Sequence, residues 1–368
     1  MLIGGFYSVD GSLLCRRDEG KDFDLRSDFD GIYRKVYTNN GRTASVAALA
    51  HCREHMQGKK VLLPDYLCLS VISAMEAAGA EYDFYQVKGN LEIDMESLLA
   101  KINDDVGMIY IIHYFGVPQP AEIVKKLRQT AQAGSILLME DITQALFSRD
   151  RQSMGFGDYI VASLRKWLPM TDGGLLAVRE NLTAGRQLPC LKDAYDESVY
   201  RELLISVLRL QYEICPEADK EVYLQYEREA NASRYKNLTP RKMTEASMGI
   251  LRHGDMDALM DRRIENYNYL YERLEKIRWL KLLSRPFFGQ REYVPFGLTL
   301  LAEDRDGLYR YLTEHNIIPE IQWILPSEYY EPGKEARFMS AHNLMIQCDQ
   351  RYGLKEMKYV ADVLEAYG

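Results

Sequence analysis

Cysteine is sparse and unpatterned. Cys15, Cys52, Cys68, Cys190, Cys215 and Cys348 are scattered over 368 residues with no CxxC pair, and no Cys/His set has zinc-finger spacing. A structural zinc site and a disulfide-stapled scaffold are therefore not expected, and no metal is assigned. No GxGxxG follows any expected strand, which weakens a dinucleotide-binding Rossmann assignment. No window approaches the roughly 18 uninterrupted apolar residues of a membrane span. The opening MLIGGFYSVDGSLLCRRDEG has no basic n-region and does not read as a signal peptide. A cytoplasmic protein with free thiols is the expectation. Positive charge is in deficit, 46 Lys+Arg against 54 Asp+Glu for a net charge of −8. Such a chain has no global electrostatic attraction to nucleic acid or to an anionic membrane, and no helix-turn-helix is evident. Tryptophan is scarce (3) although tyrosine is abundant (26), and some of those tyrosines mark a helical stretch around 195–235.

Against those absences, 47% of the residues are hydrophobic and 27% charged, ordinary for a globular chain long enough to bury a large core. Residues 1–38 read as an irregular arm. From Asn39 short apolar runs alternate with helical stretches. Arg42–Met56 is helical after the turn Asn39-Asn40-Gly41, and Lys60–Pro64 is a strand. Leu69–Ala78 is a helix stopped by Gly79, and Tyr82–Val87 the next strand. VGMIYIIH (106–113), SILLME (135–140), YIVAS (159–163) and GLLAV (174–178) are the near-continuous apolar runs of strands covered on both faces of a parallel sheet. The alternation predicts an α/β large domain over 39–245. After it, 243–276 has helical period as one long helix or a broken pair. Strands are expected at 293–301 and 317–324 around a helix at 305–315, with a closing helix at 359–366. Residues 246–368 thus form a smaller α+β domain with a bridging helix.

Ligands of open α/β sheets sit at the carboxyl ends of the strands. The polar residues that follow the apolar runs are Gly41-Arg42-Thr43, Asp65-Tyr66, His113-Tyr114-Phe115-Gly116, Asp141 with Gln144, and Ser163-Leu164-Arg165-Lys166. A helix start suits a phosphate, because its amides are unpaired and its dipole end is positive. A lysine can form a Schiff base, and a carboxylate can hold a protonated pyridine nitrogen. These are the requirements of pyridoxal 5′-phosphate.

The pieces NNGRTA (39–44), LLPDYLCLSVISAMEAAGAEYDFYQV (62–87), IIHYFG (111–116), MEDITQA (139–145), GFGDYIVASLRKWLPMTDGG (155–174), IIPEIQWILP (317–326) and QCDQRYGLKEM (347–357) resemble, in order and spacing, the DegT/StrS family. These are fold-type-I, pyridoxal-phosphate-dependent aminotransferases that mostly act on nucleotide-linked keto sugars. The resemblance runs from about Asn39 to the C-terminus. It implies a large domain with a mostly parallel seven-stranded-type sheet, a small C-terminal domain, and a homodimer with shared active sites. Lys166 matches the lysine that forms the Schiff base and moves the proton, and Asp141 the partner of the pyridine nitrogen. Gln144 matches the residue near the cofactor 3′-oxygen. The phosphate site matches Gly41, Arg42, Thr43 and Ser163, with either Arg42 or Thr43 standing for the usual hydroxyl. Either Tyr66 or Cys68 lies against the cofactor ring, and His113 matches the His of a His-x-aromatic-Gly segment. Asn237 and Arg241 match a pair lent by the neighbouring subunit, here in a stretched segment. Trp323 and Arg351 match recurring small-domain positions, Trp323 at the substrate mouth. The sequence lacks the His-Pro-x-Lys stretch that many sugar aminotransferases carry before the lysine. The implied reaction moves an amino group from a donor, glutamate in the family, to a keto group of a nucleotide-linked sugar. Alternatives are another enzyme of this cofactor class acting on a small amino or keto compound, and a cofactor-binding regulatory protein without turnover.

Overall fold

The computed structural model describes residues 3–5, 7, 8, 12, 25–195, 197–215, 220–233, 238–283 and 292–368. Its strands are β1 (Ile3–Gly4), β2 (Tyr33–Thr38), β3 (Lys60–Pro64), β4 (Glu81–Tyr85), β5 (Val106–Ile112), β6 (Leu137–Asp141), β7 (Tyr159–Ser163), β8 (Gly174–Arg179), β9 (Leu280–Leu282), β10 (Leu298–Ala302), β11 (Ile317–Ile318) and β12 (Asn343–Ile346). A seven-stranded sheet has the order β2-β8-β7-β6-β5-β3-β4. All its neighbours pair in parallel except β8, which runs antiparallel to both β2 and β7. The expected α/β fold with a mostly parallel sheet is present. Every residue of β5 is buried, as a central strand covered by helices on both faces requires.

Helices Gly41–His51, Leu69–Ala78, Met95–Lys101 and Ala121–Gly134 connect these strands. The Ala121–Gly134 helix buries Ile123, Val124, Leu127 and Ala131, which are spaced i, i+1, i+4 and i+8 along one face. The strand ends that follow β3, β5, β6 and β7 therefore meet at one edge of the sheet. Residues 33–38, expected inside an irregular arm, are instead the edge strand β2. Arg34 is exposed in mid-strand while the terminal Tyr33 and Thr38 are buried, a charged edge of the kind that discourages further strand pairing.

A second hydrophobic cluster gathers Tyr267, Leu270, Leu298, Leu300, Leu344, Ile346, Val360 and Leu364. It packs the helices Met256–Leu274 and Leu354–Glu365 against the antiparallel sheet β12-β10-β9. The stretch 243–276 is a broken pair, Glu245–His253 and Met256–Leu274. Asp255 caps the second helix by accepting from Ala258 N, so Gly254-Asp255 ends one helix and starts the next. The strands expected at 293–301 and 317–324 shrink to β10 and β11. Past β11, Glu320 instead bridges to Met345, and the Gln322 side chain accepts from Gln144 at the sheet edge. The closing helix starts earlier than expected, at Leu354.

Gly174 is paired with Thr38 on one side and Ser163 on the other. A Cβ at Gly174 would collide with the Asn40 backbone. The missing side chain lets the Asn39–Gly41 turn settle against the ends of β7 and β8. Gly174→Ala should cost about 1–3 kcal/mol as an overpacked site, seen as a lower urea midpoint by circular dichroism. An unchanged midpoint would mean that the turn yields without strain.

Candidate active site

The edge where β5, β6 and β7 end opens into a cavity of about 280 Å³. At the strand ends it is lined by Gly41, Arg42, Cys68, Asp141, Gln144, Ser163 and Lys166, and from the 320–323 stretch by Glu320, Ile321, Gln322 and Trp323. Two sequence-distant sets of candidate residues are thus brought to one place.

Asp141 closes β6 and is held from both sides. Its Oδ1 accepts from the Thr143 amide at 2.8 Å, and its Oδ2 accepts from the Tyr110 hydroxyl at 2.8 Å. Burial, then the Asp141 charge, pushes the Tyr110 phenol well above its ordinary range, so Tyr110 stays protonated and keeps donating. Two neutral donors orient the carboxylate while leaving its charge uncancelled. Thr143 also joins β6 to β7. Its Oγ1 accepts from Ser163 N at 3.1 Å, and its carbonyl accepts from Trp167 Nε1 at 2.7 Å.

Lys166 ends the short 3₁₀ turn Leu164–Lys166 that follows β7. Trp167 is fully buried, under the Arg263 guanidinium at 4.3 Å from the ring centre, and its carbonyl accepts from Gln350 Nε2 at 2.6 Å. This anchor sets where the preceding side chain points. The Lys166 amine itself has no hydrogen bond or ion pair among the described residues. Past the turn, Asp172 Oδ2 accepts from Thr244 N at 2.8 Å, and its Oδ1 accepts from Thr244 Oγ1 at 2.6 Å and from Ser247 Oγ. That tie fixes the lysine loop to the start of the Glu245–His253 helix.

Gly41 and Arg42 open the Gly41–His51 helix at the cavity wall, where first-turn amides lack intrahelical acceptors. A Cβ on Gly41 would come within 3.2 Å of Ala162 and Ser163, so glycine permits the close approach of helix start and strand end. Thr43 is not part of the cavity wall. It is fully buried, its amide donates to Asn40 Oδ1 at 3.1 Å, and its hydroxyl donates to Asn39 Oδ1 at 2.7 Å. Of the two residues proposed to stand for the usual hydroxyl, Arg42 lines the cavity.

Other expected site residues also lie outside the wall. Tyr66 is fully buried behind Trp323, with ring centres 5.6 Å apart, and its hydroxyl donates to the Gln322 carbonyl. Asp65 turns the chain inward there, its carboxylate accepting from Val87 N and Gly333 N, each at 2.8 Å. Cys68, two residues on, is the one that lines the cavity. His113 is fully buried, its Nε2 3.3 Å from Glu140 Oε2 while its Nδ1 accepts from Gln119 N at 3.0 Å. Both ring nitrogens of His113 are thus engaged inside the protein. The Arg241 guanidinium donates to the Asp193 carbonyl at 3.1 Å, away from this cavity. Arg351 pairs with Asp349 at 2.7 Å and donates to the Gly5 carbonyl at 3.0 Å, a structural clasp on the N-terminal segment. Asn237 lies outside the described residues.

Tyr110, Thr143, Ser45, Glu320 and Gln322 line the cavity but were not anticipated. Two left a signal. Tyr110 is the lone hydroxyl inside the apolar run VGMIYII, and Glu320 is the lone charge in IIPEIQWI. A polar group inside such a run needs a partner.

Residues 27–200 match the family model described as the DegT/DnrJ/EryC1/StrS aminotransferase family. No curated protein matches the chain in sequence. Among solved structures it is similar to the sugar aminotransferase CalS13 from Micromonospora echinospora, at 15% identity over 100% of both chains with a TM-score of 0.69. It is similar to DesI, solved in the presence of its TDP-sugar product, at 16% identity over 100% of this chain and 92% of that one, TM-score 0.68. It is also similar to the putative sugar aminotransferase Spr1654 from Streptococcus pneumoniae in its PLP form, at 15% identity over 99% and 92%, TM-score 0.65. At these identities the likeness is one of fold.

Burial pushes the Asp172 carboxyl up, against the pull of its hydrogen bonds. A carboxyl raised in the folded state adds stability in full below its unfolded value of about 3.9. That contribution is lost as pH rises through the folded value. The stability of the native chain minus that of Asp172→Asn should therefore grow as pH falls from 7 towards 4, in paired denaturant titrations. A difference that shrinks over that range contradicts the assignment.

Proposed function

We propose that this chain, whose residues 27–200 match the DegT/DnrJ/EryC1/StrS aminotransferase family model, binds pyridoxal 5′-phosphate in its cavity and passes an amino group from glutamate to a keto group of a nucleotide-linked sugar. The observation that carries this reading is the pairing, in one cavity, of an uncommitted lysine amine with a carboxylate oriented by two neutral donors. The donor set fits the cofactor's three polar ends. Lys166 would hold its aldehyde carbon, Asp141 its ring nitrogen, and Gly41, Arg42 and Ser163 its phosphate at the helix start. Cys68 and Gln144 would flank the ring, Cys68 in place of an aromatic. When bound, the cofactor supplies an electron sink for the carbanion that forms when the amine-bearing carbon loses its proton.

The protein's own contribution is positioning and proton transfer. Asp141, held by Tyr110 and Thr143, would keep a proton on the ring nitrogen by charge pairing. Lys166 Nζ would accept the proton from the substrate carbon and return it to the cofactor side, its reach set by the buried Trp167 anchor. Trp323 would exclude water on the small-domain side. The sugar assignment draws on relatives described as sugar aminotransferases and on the TDP-sugar product of DesI. Cytoplasmic small-molecule metabolism and a homodimer complete the reading, with Asn237 and Arg241 lent to the partner's site.

Borohydride reduction of the cofactor-treated protein, followed by peptide mass spectrometry, should place the phosphopyridoxyl group on Lys166. Attachment elsewhere, or none, overturns the site. Lys166→Ala should lower turnover by at least about 10²–10⁴-fold, the usual span for a lost general acid–base. Asp141→Asn should bind the cofactor with an altered visible spectrum.

A further inference from the structure

We propose that Glu320 is a specificity-determining residue that receives the second, non-reacting ammonium group of a donor, so that the site takes, besides glutamate, a diamine or a similar donor with two amino nitrogens. The inference rests on the aminotransferase reading above but on different residues.

The argument begins with a backbone amide whose direction is not negotiable. Phe115 N–H donates to Gln144 Oε1 at 3.1 Å. That contact fixes the Gln144 side chain with its NH₂ pointing the other way, where it donates to Gln322 Oε1 at 2.8 Å. Gln322 must then present its own NH₂ on the far side, and it does, donating to Glu320 Oε2 at 2.5 Å. A second amide, Gln347 Nε2, donates to Glu320 Oε1 at 2.5 Å. Gln144, Gln322 and Gln347 are 2%, 4% and 8% exposed, so the relay is locked inside the protein, and the Phe115 amide sets the sense of Gln144 and of Gln322 in turn. It ends on Glu320, whose two carboxyl oxygens both accept.

Glu320 is the half-buried end of this relay and faces the cavity. Both its oxygens are held by neutral amides, which orient the charge without cancelling it. No Lys, Arg or His among the described residues forms an ion pair with it. A partly buried carboxyl without an ion pair is best compensated by a cation, and the cavity is the space it lines. Trp323, from the same 320–323 wall, adds an indole to the lining. A carboxylate with an aromatic ring is the chemistry that selects an ammonium. A neutral hydroxyl would satisfy a lone pair and leave the charge uncompensated.

The test is calorimetric binding to the cofactor-free protein with 1,4-diaminobutane as probe, and glycerol and n-butylamine as comparisons. The diamine should bind at least tenfold tighter than either. Glu320→Gln should erase that advantage, and Glu320→Asp should retain most of it. In the cofactor-loaded protein, the same Glu320→Gln change should raise the KM of a diamine donor about tenfold while leaving that of glutamate unchanged. Equal binding of diamine and butylamine, or a diamine preference that survives Glu320→Gln, overturns the proposal. Preference for glycerol would instead assign Glu320 to substrate hydroxyls and also overturn it. Failure of the aminotransferase reading looks different. The cofactor would then not attach to Lys166 at all, whatever the diamine does.

Discussion

The site depends on Thr143. This one residue donates its amide to Asp141, accepts through its hydroxyl from the amide of Ser163, and accepts through its carbonyl from the indole of Trp167. Three hydrogen bonds from three atoms of one side-chain and backbone unit tie the ends of two adjacent parallel strands together. Asp141 and Lys166 stand on those two ends. Their relative placement is therefore a property of a turn between paired strands, which is stiffer than a contact between loops. The buried ring of Trp167 then holds the lysine turn to the core.

Around that tie, polar side chains cross between the sheet edge and the 320–333 stretch, beside apolar contacts such as Phe84 stacked on Tyr330. Gln144 to Gln322 is one crossing, and Asp65 to Gly333 is another. Hydrogen-bonded crossings of this kind specify a single mutual arrangement, because each donor requires its own acceptor. A purely apolar seam would tolerate sliding. The relay also delivers a negative charge to the cavity wall opposite the lysine-bearing edge. Charges of both signs thus line one small space, Arg42 and Lys166 at the strand ends and Glu320 from the 320–323 stretch.

Much of this was legible from the chain. The alternation of apolar runs and helical stretches exposed the parallel sheet, since strands buried on both faces have to be apolar throughout. The carboxyl-end rule then drew attention to Asp141, Ser163 and Lys166. Three expected residues stand off the cavity wall for a shared reason. Thr43, Tyr66 and His113 sit at the right strand ends but are consumed by local hydrogen bonding, as helix cap, domain contact and turn support. Residue type and position cannot reveal which of several polar groups at an edge is already satisfied. Strand β2 was missed because its charged, half-exposed pattern belongs to a sheet edge and lacks the apolar run of a central strand.

What the sequence by itself determined is the fold class and the chemical cast, because hydrophobic period and motif order are one-dimensional properties. Only the tertiary structure decided which members of that cast face the cavity. It set Cys68 on the cavity wall and Tyr66, His113 and Thr43 off it, and added Tyr110, Thr143 and Glu320 to the lining. The physical reason is that a polar side chain's function depends on whether its hydrogen bonds are already taken. Those partners lie as many as 268 residues away, as for Asp65 and Gly333, beyond the reach of any local pattern.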